Sequence, residues 1–323
     1  MRILNYNRRD VSLVFMGTPD FAAANLRQLA TEYNVKLCIT QPDRPKGRGK
    51  KEMPSPVKTV ALELNIPVLT PQSLKNEELI VAKIAEAAPD IIVVVAFGQM
   101  LPRAILDLPK FGCINLHASL LPALRGAAPI QQAVIQGDLV SGNTTQLMNE
   151  GIDTGDILLT DEVAISSDMT YGALHDLLMD RGPNLLCQTI DGLIKGEITG
   201  RVQPATGVSY VRKFTKQDAQ IDFSDNTANI INLIRGMNPI PLAYTWADET
   251  MVKILEATAG EDSGNTAPGT IINQDKSGIL VKTGDGAVLI KKLQLPGRRP
   301  MEVRDFLNGN HIEADQFKRS AVE

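Results

Sequence analysis

The chain has 323 residues, more than one hydrophobic core usually organises, so two domains are expected. With 43% hydrophobic and 22% charged residues it should fold as a soluble globule rather than stay disordered. A net charge of −4 excludes a wholly basic, histone-like binder but not a local nucleic-acid patch. No run of 18 apolar residues appears, so no transmembrane helix and no membrane partner are expected. The start, "MRILNYNRRDVSLVF", carries neither a long apolar segment nor a small-residue cleavage site. Cys38, Cys113 and Cys187 are odd in number and widely spaced. A disulfide framework and a metal site are therefore not expected, and a reducing cytoplasm fits.

In chain order, "VSLVFMG" at 11–17 reads as a buried strand with the helix "DFAAANLRQLATEY" behind it. "VKLCIT" is a second strand, and "SLKNEELIVAKIAEAAP" has helical apolar spacing. "DIIVVVAFG" at 90–98 is apolar without alternation, as in a parallel sheet covered on both faces. "FGCINLH" is another strand, and "APIQQAVIQGD" is a helix with Pro129 near its start and Gly137 past its end. "NTTQLM" and "ILLTDEVAI" form a strand pair, followed by two helices, "TYGALHDLLMDRG" and "PNLLCQTIDGLIKG". This alternation predicts an α/β fold with an open, mostly parallel, Rossmann-like sheet.

The pattern changes near residue 200. "GEITGRVQPATGVS" reads as a polar connector; then come the helix "NTANIINLIRGM" and a run of short strands. Those strands predict a small OB-like β-barrel. The expected organisation is a domain over 1–199, a linker over 200–216 and a barrel domain over 217–323.

The first turn, "MGTPDFAA", invites a dinucleotide reading but lacks G-x-G-x-x-G. Asp20 brings negative charge where a pyrophosphate would need close backbone approach.

The chemistry gathers elsewhere. Asn115 and His117 are two apart in a strand, so they share a face, near the carboxyl end where open α/β sheets bind ligands. An amide and an imidazole aimed at one point can hold an oxyanion, and histidine moves protons near neutral pH. On those two residues alone, a satisfied core histidine beside a turn asparagine is the plainer reading. "GIDTGDILL" at 151–159 adds Asp153, a carboxylate that could orient His117, although Asp-Thr-Gly-Asp is also ordinary turn chemistry. Spacing alone does not bring Asp153 to His117. Cys113 shares the Asn115 face, but nothing nearby activates a thiol, and a buried small hydrophobe is expected.

"TQPDRPKGRGKKEMPSP" at 40–56 concentrates positive charge in an acidic chain: Arg44, Lys46, Arg48, Lys50 and Lys51, with Lys58 just beyond. Its glycines and prolines predict a mobile surface loop without a core. Such a cluster attracts phosphates, although a solvated charged loop is the plainer alternative.

"NLHASLLPALRGAAPIQQAVIQGD" followed by "EGIDTGDILL" resembles the signature of folate-dependent formyltransferases. With "FMGTPDFAA", "TQPDRPKGRGKKEMPSPVK", "APDIIVVVAFGQMLP" and "RKFTKQDAQIDF…IRGMNPIPLAYT", the resemblance extends over nearly the whole chain to the members acting on methionyl-tRNA. It implies a formyltransferase-fold domain using 10-formyltetrahydrofolate as formyl donor, and a C-terminal barrel that helps hold tRNA. The implied activity is formyl transfer to the methionine amino group of initiator methionyl-tRNA, supporting translation initiation. The resemblance places the catalytic trio on Asn115, His117 and Asp153. It places folate contacts at Ser119, Leu120, Leu121 and Pro122, and acceptor-stem contacts at Arg44, Lys46, Arg48, Lys50 and Lys51. No metal is implied, and a monomer is expected.

The chain departs from that pattern in places. Asn143, Thr145 and Gln146 stand where the resemblance implies apolar residues, which would either loosen the sheet near Asp153 or find buried partners. Residues 200–323 carry 15 basic and 15 acidic side chains, less cationic than a tRNA-binding barrel suggests. A formyltransferase for glycinamide ribonucleotide or an amino sugar nucleotide would share Asn-x-His and the aspartate. The segments 40–58 and "IRGMNPIPLAYT" favour tRNA. A nucleic-acid-binding module without catalysis would not need the trio.

Overall fold

The structure is a computed structural model that describes residues 6–46, 51–75, 78–262 and 264–320. Its strands in chain order are β1 (Ser12–Gly17), β2 (Asn34–Ile39), β3 (Arg44–Lys46), β4 (Lys51–Met53), β5 (Val68–Leu69), β6 (Ile91–Val95), β7 (Cys113–His117), β8 (Arg125–Gly126) and β9 (Val140–Leu147). They continue as β10 (Ile157–Ala164), β11 (Tyr210–Val211), β12 (Ala243–Ala247), β13 (Thr250–Gly260), β14 (Ile271–Asp275), β15 (Gly278–Lys282), β16 (Ala287–Gln294), β17 (Met301–Glu302) and β18 (Phe317–Lys318). The helices are α1 (Asp20–Glu32), α2 (Pro56–Glu63), α3 (Glu78–Glu86), α4 (Arg103–Leu106), α5 (Pro129–Ile135), α6 (Tyr171–Lys195), α7 (Thr227–Gly236) and α8 (Val303–Phe306).

Two compact units result. The first comprises residues up to Gly126, Ser141–Val163 and His175–Val211; the second comprises Ala127–Val140, Ala164–Leu174 and the chain from Arg212. Each is therefore discontinuous in sequence, with α5 grouped with the C-terminal unit rather than with the strands that flank it.

The first unit holds a seven-stranded sheet in the order β10-β9-β7-β6-β1-β2-β5. From β5 to β7 all neighbours are parallel, and β9 runs antiparallel to β7. Every residue of β6 is buried, which explains its unbroken apolar run. On one face Val14, Met16, Ile92, Val94 and Cys113 pack with Ile80 and Ile84 of α3 and Ile105 of α4. On the other, β9 meets α6: the Asn143 amide donates to the Leu178 carbonyl at 2.8 Å, and the Thr145 and Thr189 hydroxyls lie 2.8 Å apart. Asn143 and Thr145, unexpected in β9, thus each have a buried partner, although Asn143 Oδ1 is buried without one.

Three local features differ from the sequence reading. The two helices expected on either side of Pro183 are one 25-residue helix, α6. Proline removes one helical donor, at a cost of about 3 kcal/mol. Burial of Leu178, Leu185, Leu186, Ile190 and Ile194 along one side outweighs it. The charged loop over 40–56 is not wholly irregular, because β3 and β4 pair as an antiparallel hairpin. The connector read at 200–216 is partly folded: Arg201 bridges Ile157, and β11 lies parallel to β8. These pairings satisfy backbone groups across long sequence separations, where local polarity gives no signal.

The segment before β1 is tied down from Tyr6 onward. Tyr6 and Tyr33 both donate to Oδ1 of Asp191, the latter at 2.7 Å, and Arg8 reaches Oδ2 at 2.6 Å. Burial disfavours the Asp191 carboxylate, but the Arg8, Tyr6 and Tyr33 hydrogen bonds outweigh it and hold its pKa below the usual carboxylate range.

The second unit is built on an antiparallel sheet ordered β14-β15-β16-β13-β12-β18, with β17 on β16. Its two edges meet. Thr270 bridges Gln316, the Ile271 N–H donates to the Asp315 carbonyl, and the Phe317 N–H donates to Gly269, both at 2.9 Å. This curls the sheet into a small OB-like barrel around Ile254, Val281, Ile290 and Phe306. Asn226 caps α7 by accepting from the Asn229 N–H, and Ile230 and Ile234 of that helix join the barrel core.

Candidate active site

The site forms at the carboxyl ends of the parallel strands, in the first unit. Val94 of β6 is in register with Asn115 of β7, so His117 lies one step beyond the last residue of β6. Across the antiparallel pair, Asn115 faces Gln146 and His117 faces Thr144. Alternation along both strands then puts these four side chains on one face of the sheet.

Asp153 comes from the turn between β9 and β10 and has φ +52°, a left-handed conformation uncommon for aspartate. It turns its carboxylate toward both β7 residues. Oδ1 accepts from Asn115 Nδ2 at 3.2 Å and from Gln146 Nε2 at 3.0 Å. Oδ2 accepts the Gly126 N–H at 2.8 Å and faces His117 Nδ1 at 3.6 Å. The structure therefore brings Asn115, His117 and Asp153 together.

His117 is only 6% exposed, and its Nε2 lies 2.9 Å from the Leu124 carbonyl oxygen. A carbonyl only accepts, so Nε2 carries a proton and Nδ1 is the nitrogen directed at Asp153. At 3.6 Å the His117–Asp153 pair is longer than a direct hydrogen bond. Leu124, like Asp153, has a positive φ, +58°. Backbone strain of this kind persists where the surroundings fix it, here on both sides of the imidazole.

Two glycines are set by close approach. A Cβ on Gly126, at φ +106°, would lie 2.4 Å from the Val211 carbonyl oxygen of β11. A Cβ on Gly155 would lie 1.6 Å from the Leu147 carbonyl oxygen. Larger residues at either place would displace the N–H that bonds Asp153 or Gln146.

The Ser119–Pro122 turn is anchored from β9. Thr144 donates its hydroxyl to the Ser119 carbonyl at 2.6 Å and accepts the Leu121 N–H at 3.1 Å. Ser119 donates to the Ala123 carbonyl at 2.7 Å. Ser119 and Leu121 are buried, and Leu120 and Pro122 are half-buried. Of the charged segment, Arg44 is exposed and donates to Gln41 Oε1 at 3.2 Å, and Lys46 pairs with Lys51 in backbone register. Arg48 and Lys50 lie outside the described residues. Lys58 is engaged by Asp43 at 2.7 Å.

Cys113 takes no part. It is 2% exposed in the core beside α4, and burial, aided by the charge of Asp107, pushes its thiol up to about 12. Among the described residues no cluster of three or more His, Cys, Asp or Glu side chains is arranged to hold a metal. No helix among them is long and apolar enough to cross a membrane.

The sequence reading missed the supporting residues. Gln146 was visible only as a polar residue in a strand expected to be apolar. Gln203 donates to the Asp153 carbonyl at 2.8 Å and to the Gly155 carbonyl at 2.7 Å. Its Oε1 accepts from buried Arg125 at 3.1 and 2.7 Å. Arg125 also donates to the Tyr210 hydroxyl at 2.9 Å.

The formyl transferase family matches residues 11–190, and the formyl transferase C-terminal domain family matches 213–311. A methionyl-tRNA formyltransferase from Clostridium perfringens is 51% identical over 303 residues, covering 94% of this chain and 98% of that protein. One from Ectopseudomonas mendocina is 48% identical over 311 residues, covering 96% and 97%. Among solved structures, WlaRD, a sugar 3N-formyl transferase crystallised in the presence of dTDP and 5-N-formyl-THF, is 19% identical with a TM-score of 0.63, covering 90% of this chain and 99% of that one. An N-formyltransferase from Helicobacter canadensis, in complex with folinic acid and dTDP-3-aminofucose, is 18% identical with a TM-score of 0.63, covering 87% and 98%. These two likenesses establish a shared fold. The family matches span both units, and relatives near half identity align over almost the full length: the chain belongs to the methionyl-tRNA formyltransferase family.

Proposed function

We propose that Asn115, His117 and Asp153 carry out transfer of a formyl group from 10-formyltetrahydrofolate to the methionine amino group of initiator methionyl-tRNA. Family membership carries the reaction class, formyl transfer. The observation that supports the residue roles is the convergence of the Asn115 amide and the His117 imidazole on the Asp153 carboxylate at the strand ends.

The substrate amine is itself the nucleophile, so the protein needs no serine or cysteine to attack. The nitrogen lone pair forms the new bond to the formyl carbon, and the carbonyl electron pair moves onto oxygen. Asn115 Nδ2 has two hydrogens; one is held by Asp153, leaving the other for that oxygen. His117 Nδ1, when protonated, supplies the second donor, because Nε2 is committed to Leu124. The gap between Nδ1 and Asp153 Oδ2 leaves Asp153 to receive the ammonium proton through water. Collapse of the intermediate then breaks the bond to the folate nitrogen, which leaves with the proton that Asp153 received, returned through the same water. The folate serves as formyl donor, and the donor set present fits a tetrahedral oxyanion.

In this reading the Ser119–Pro122 turn borders the folate, and Arg44, Lys46, Arg48, Lys50 and Lys51 meet the acceptor stem. The cytoplasm, where charged tRNA is found, is the site of action, and the protein works as a monomer. The test is to incubate the protein with formyl-folate and charged initiator tRNA. Acid-stable formylmethionine is expected. Transfer to glycinamide ribonucleotide or an amino sugar nucleotide instead would overturn the tRNA assignment.

A further inference from the structure

The buried Gln146 side chain is 1% exposed, so it works from behind the carboxylate. Its orientation is fixed by its partners. The Gly155 N–H, at 3.1 Å, only donates, so the atom that accepts it is Oε1. Nε2 is therefore the atom 3.0 Å from Asp153 Oδ1. Gln203 is fixed in the same way: its Nε2 meets the Asp153 and Gly155 carbonyls, and its Oε1 meets the Arg125 guanidinium. Gln203 Nε2 also approaches Gln146 Oε1 at 3.4 Å. Donors thus point in one direction, from the buried Arg125 cation through two amides to the Asp153 carboxylate, so that each bond polarises the next.

From this arrangement we propose that Gln146 is a positioning residue for Asp153. It keeps Oδ1 occupied, so that Oδ2 stays turned toward His117 while Asn115 commits its other hydrogen to the substrate. Without it, Asn115 alone would hold Oδ1, and an asparagine drawn toward the developing oxyanion would release the carboxylate. The register explains why this position can do so: residue 146 lies directly across from Asn115, and both side chains reach the same oxygen. The inference rests on the functional reading above and adds a residue to it.

The experiment is a double-mutant cycle in the full-length protein, with single-turnover rates at saturating formyl donor and methionyl-tRNA. Gln146→Met keeps the volume and removes the donor, together with the acceptor of the Gly155 N–H. It should lower the rate about tenfold in the wild-type background while changing either KM less than about twofold, and it should cost less than about twofold when Asp153 is already Asn. Thr145→Val, on the opposite face of β9, should leave the rate within about twofold of wild type. Gln146→Glu supplies a second readout that keeps the side-chain size. Its rate relative to wild type should rise toward acid pH, as the protonated carboxyl replaces the missing donor. A Gln146→Met cost that is the same with Asp153 or Asn at 153 would overturn the inference, as would wild-type rates in both Gln146 variants. A wild-type protein that transfers no formyl group would instead overturn the functional reading, so the two failures are separable.

Discussion

Asn115 and Asp153 are 38 positions apart in the chain, yet the Asn115 amide donates to Asp153 Oδ1 at 3.2 Å. β9 runs antiparallel to β7, from Thr144 opposite His117 to Leu147 opposite Ile114, and the turn that follows it brings Asp153 back to Asn115. Two of the catalytic candidates therefore constrain each other, and Asp153 in turn faces His117. For this reason Asp153→Asn should lower formyl transfer with the fold intact, whereas Asp153→Ala should also release Gly126, Asn115 and Gln146. Thermal unfolding and turnover measured on both variants separate the two effects. Near wild-type turnover in Asp153→Asn would remove Asp153 from the mechanism.

Cys113 sits on the same strand face but within apolar core. Cys113→Ala should retain turnover within about threefold and lose about 1 kcal/mol of stability, the ordinary effect of trimming one buried atom. Thiol reagents should modify the native protein slowly, because burial holds the thiol near 12 and leaves little thiolate at neutral pH. Loss of activity in parallel with Cys113 alkylation in a folded protein would contradict this placement.

The Ser119–Pro122 turn depends on the Thr144 hydroxyl, which accepts one hydrogen bond and donates another. Thr144→Val should loosen the turn and raise KM for the formyl donor more than KM for tRNA. Hydrogen exchange read on residues 119–124, with and without a folate analogue, checks the same point. Wild-type protein should gain protection there on binding.

The Asp191 cluster makes a prediction about pH. Its folded pKa is depressed, so its contribution is present above the unfolded carboxylate pKa and is lost as pH falls through the folded value. Asp191→Asn should therefore be less stable than wild type at pH 7, by about 1–3 kcal/mol for a charged acceptor that loses its role. Denaturant titrations of the two proteins should converge toward acid pH. A difference that does not depend on pH would assign the effect to packing.

Much of this was legible in the sequence where the signal is local. The unbroken apolar run of β6, the apolar spacing of α7 and the change to short strands after residue 200 each reflect a neighbourhood a few residues wide. Asn115 and His117 could be placed on one face from strand periodicity, but their meeting with Asp153 could not. It depends on strand pairing and on a turn residue in a left-handed conformation. Gln146, Gln203 and Arg125 were invisible as a set because they come from three separate stretches, and their only local mark is polarity inside buried structure. Pro183 misled for the opposite reason: a strong local signal lost to long-range burial along α6.

The charged segment separates tRNA binding from chemistry. Arg48→Ala should reduce kcat/KM for charged tRNA strongly at fixed salt while leaving folate binding nearly unchanged. Neutralising Lys50 or Lys51 should reduce the salt slope by about one unit or less. Equal kcat/KM for Arg48→Ala and wild type would leave this segment as solvated surface.

The central claim is that His117 and Asn115 hold the oxyanion of formyl transfer to methionyl-tRNA. The most direct measurement is the single-turnover rate of formylmethionyl-tRNA formation by wild type, His117→Ala and Asn115→Ala at saturating formyl donor. The expected result is a loss of about a hundredfold or more in each variant, with folding retained, the usual scale for removing an oxyanion donor or acid–base group. Rates within a few-fold of wild type in either variant would contradict the account.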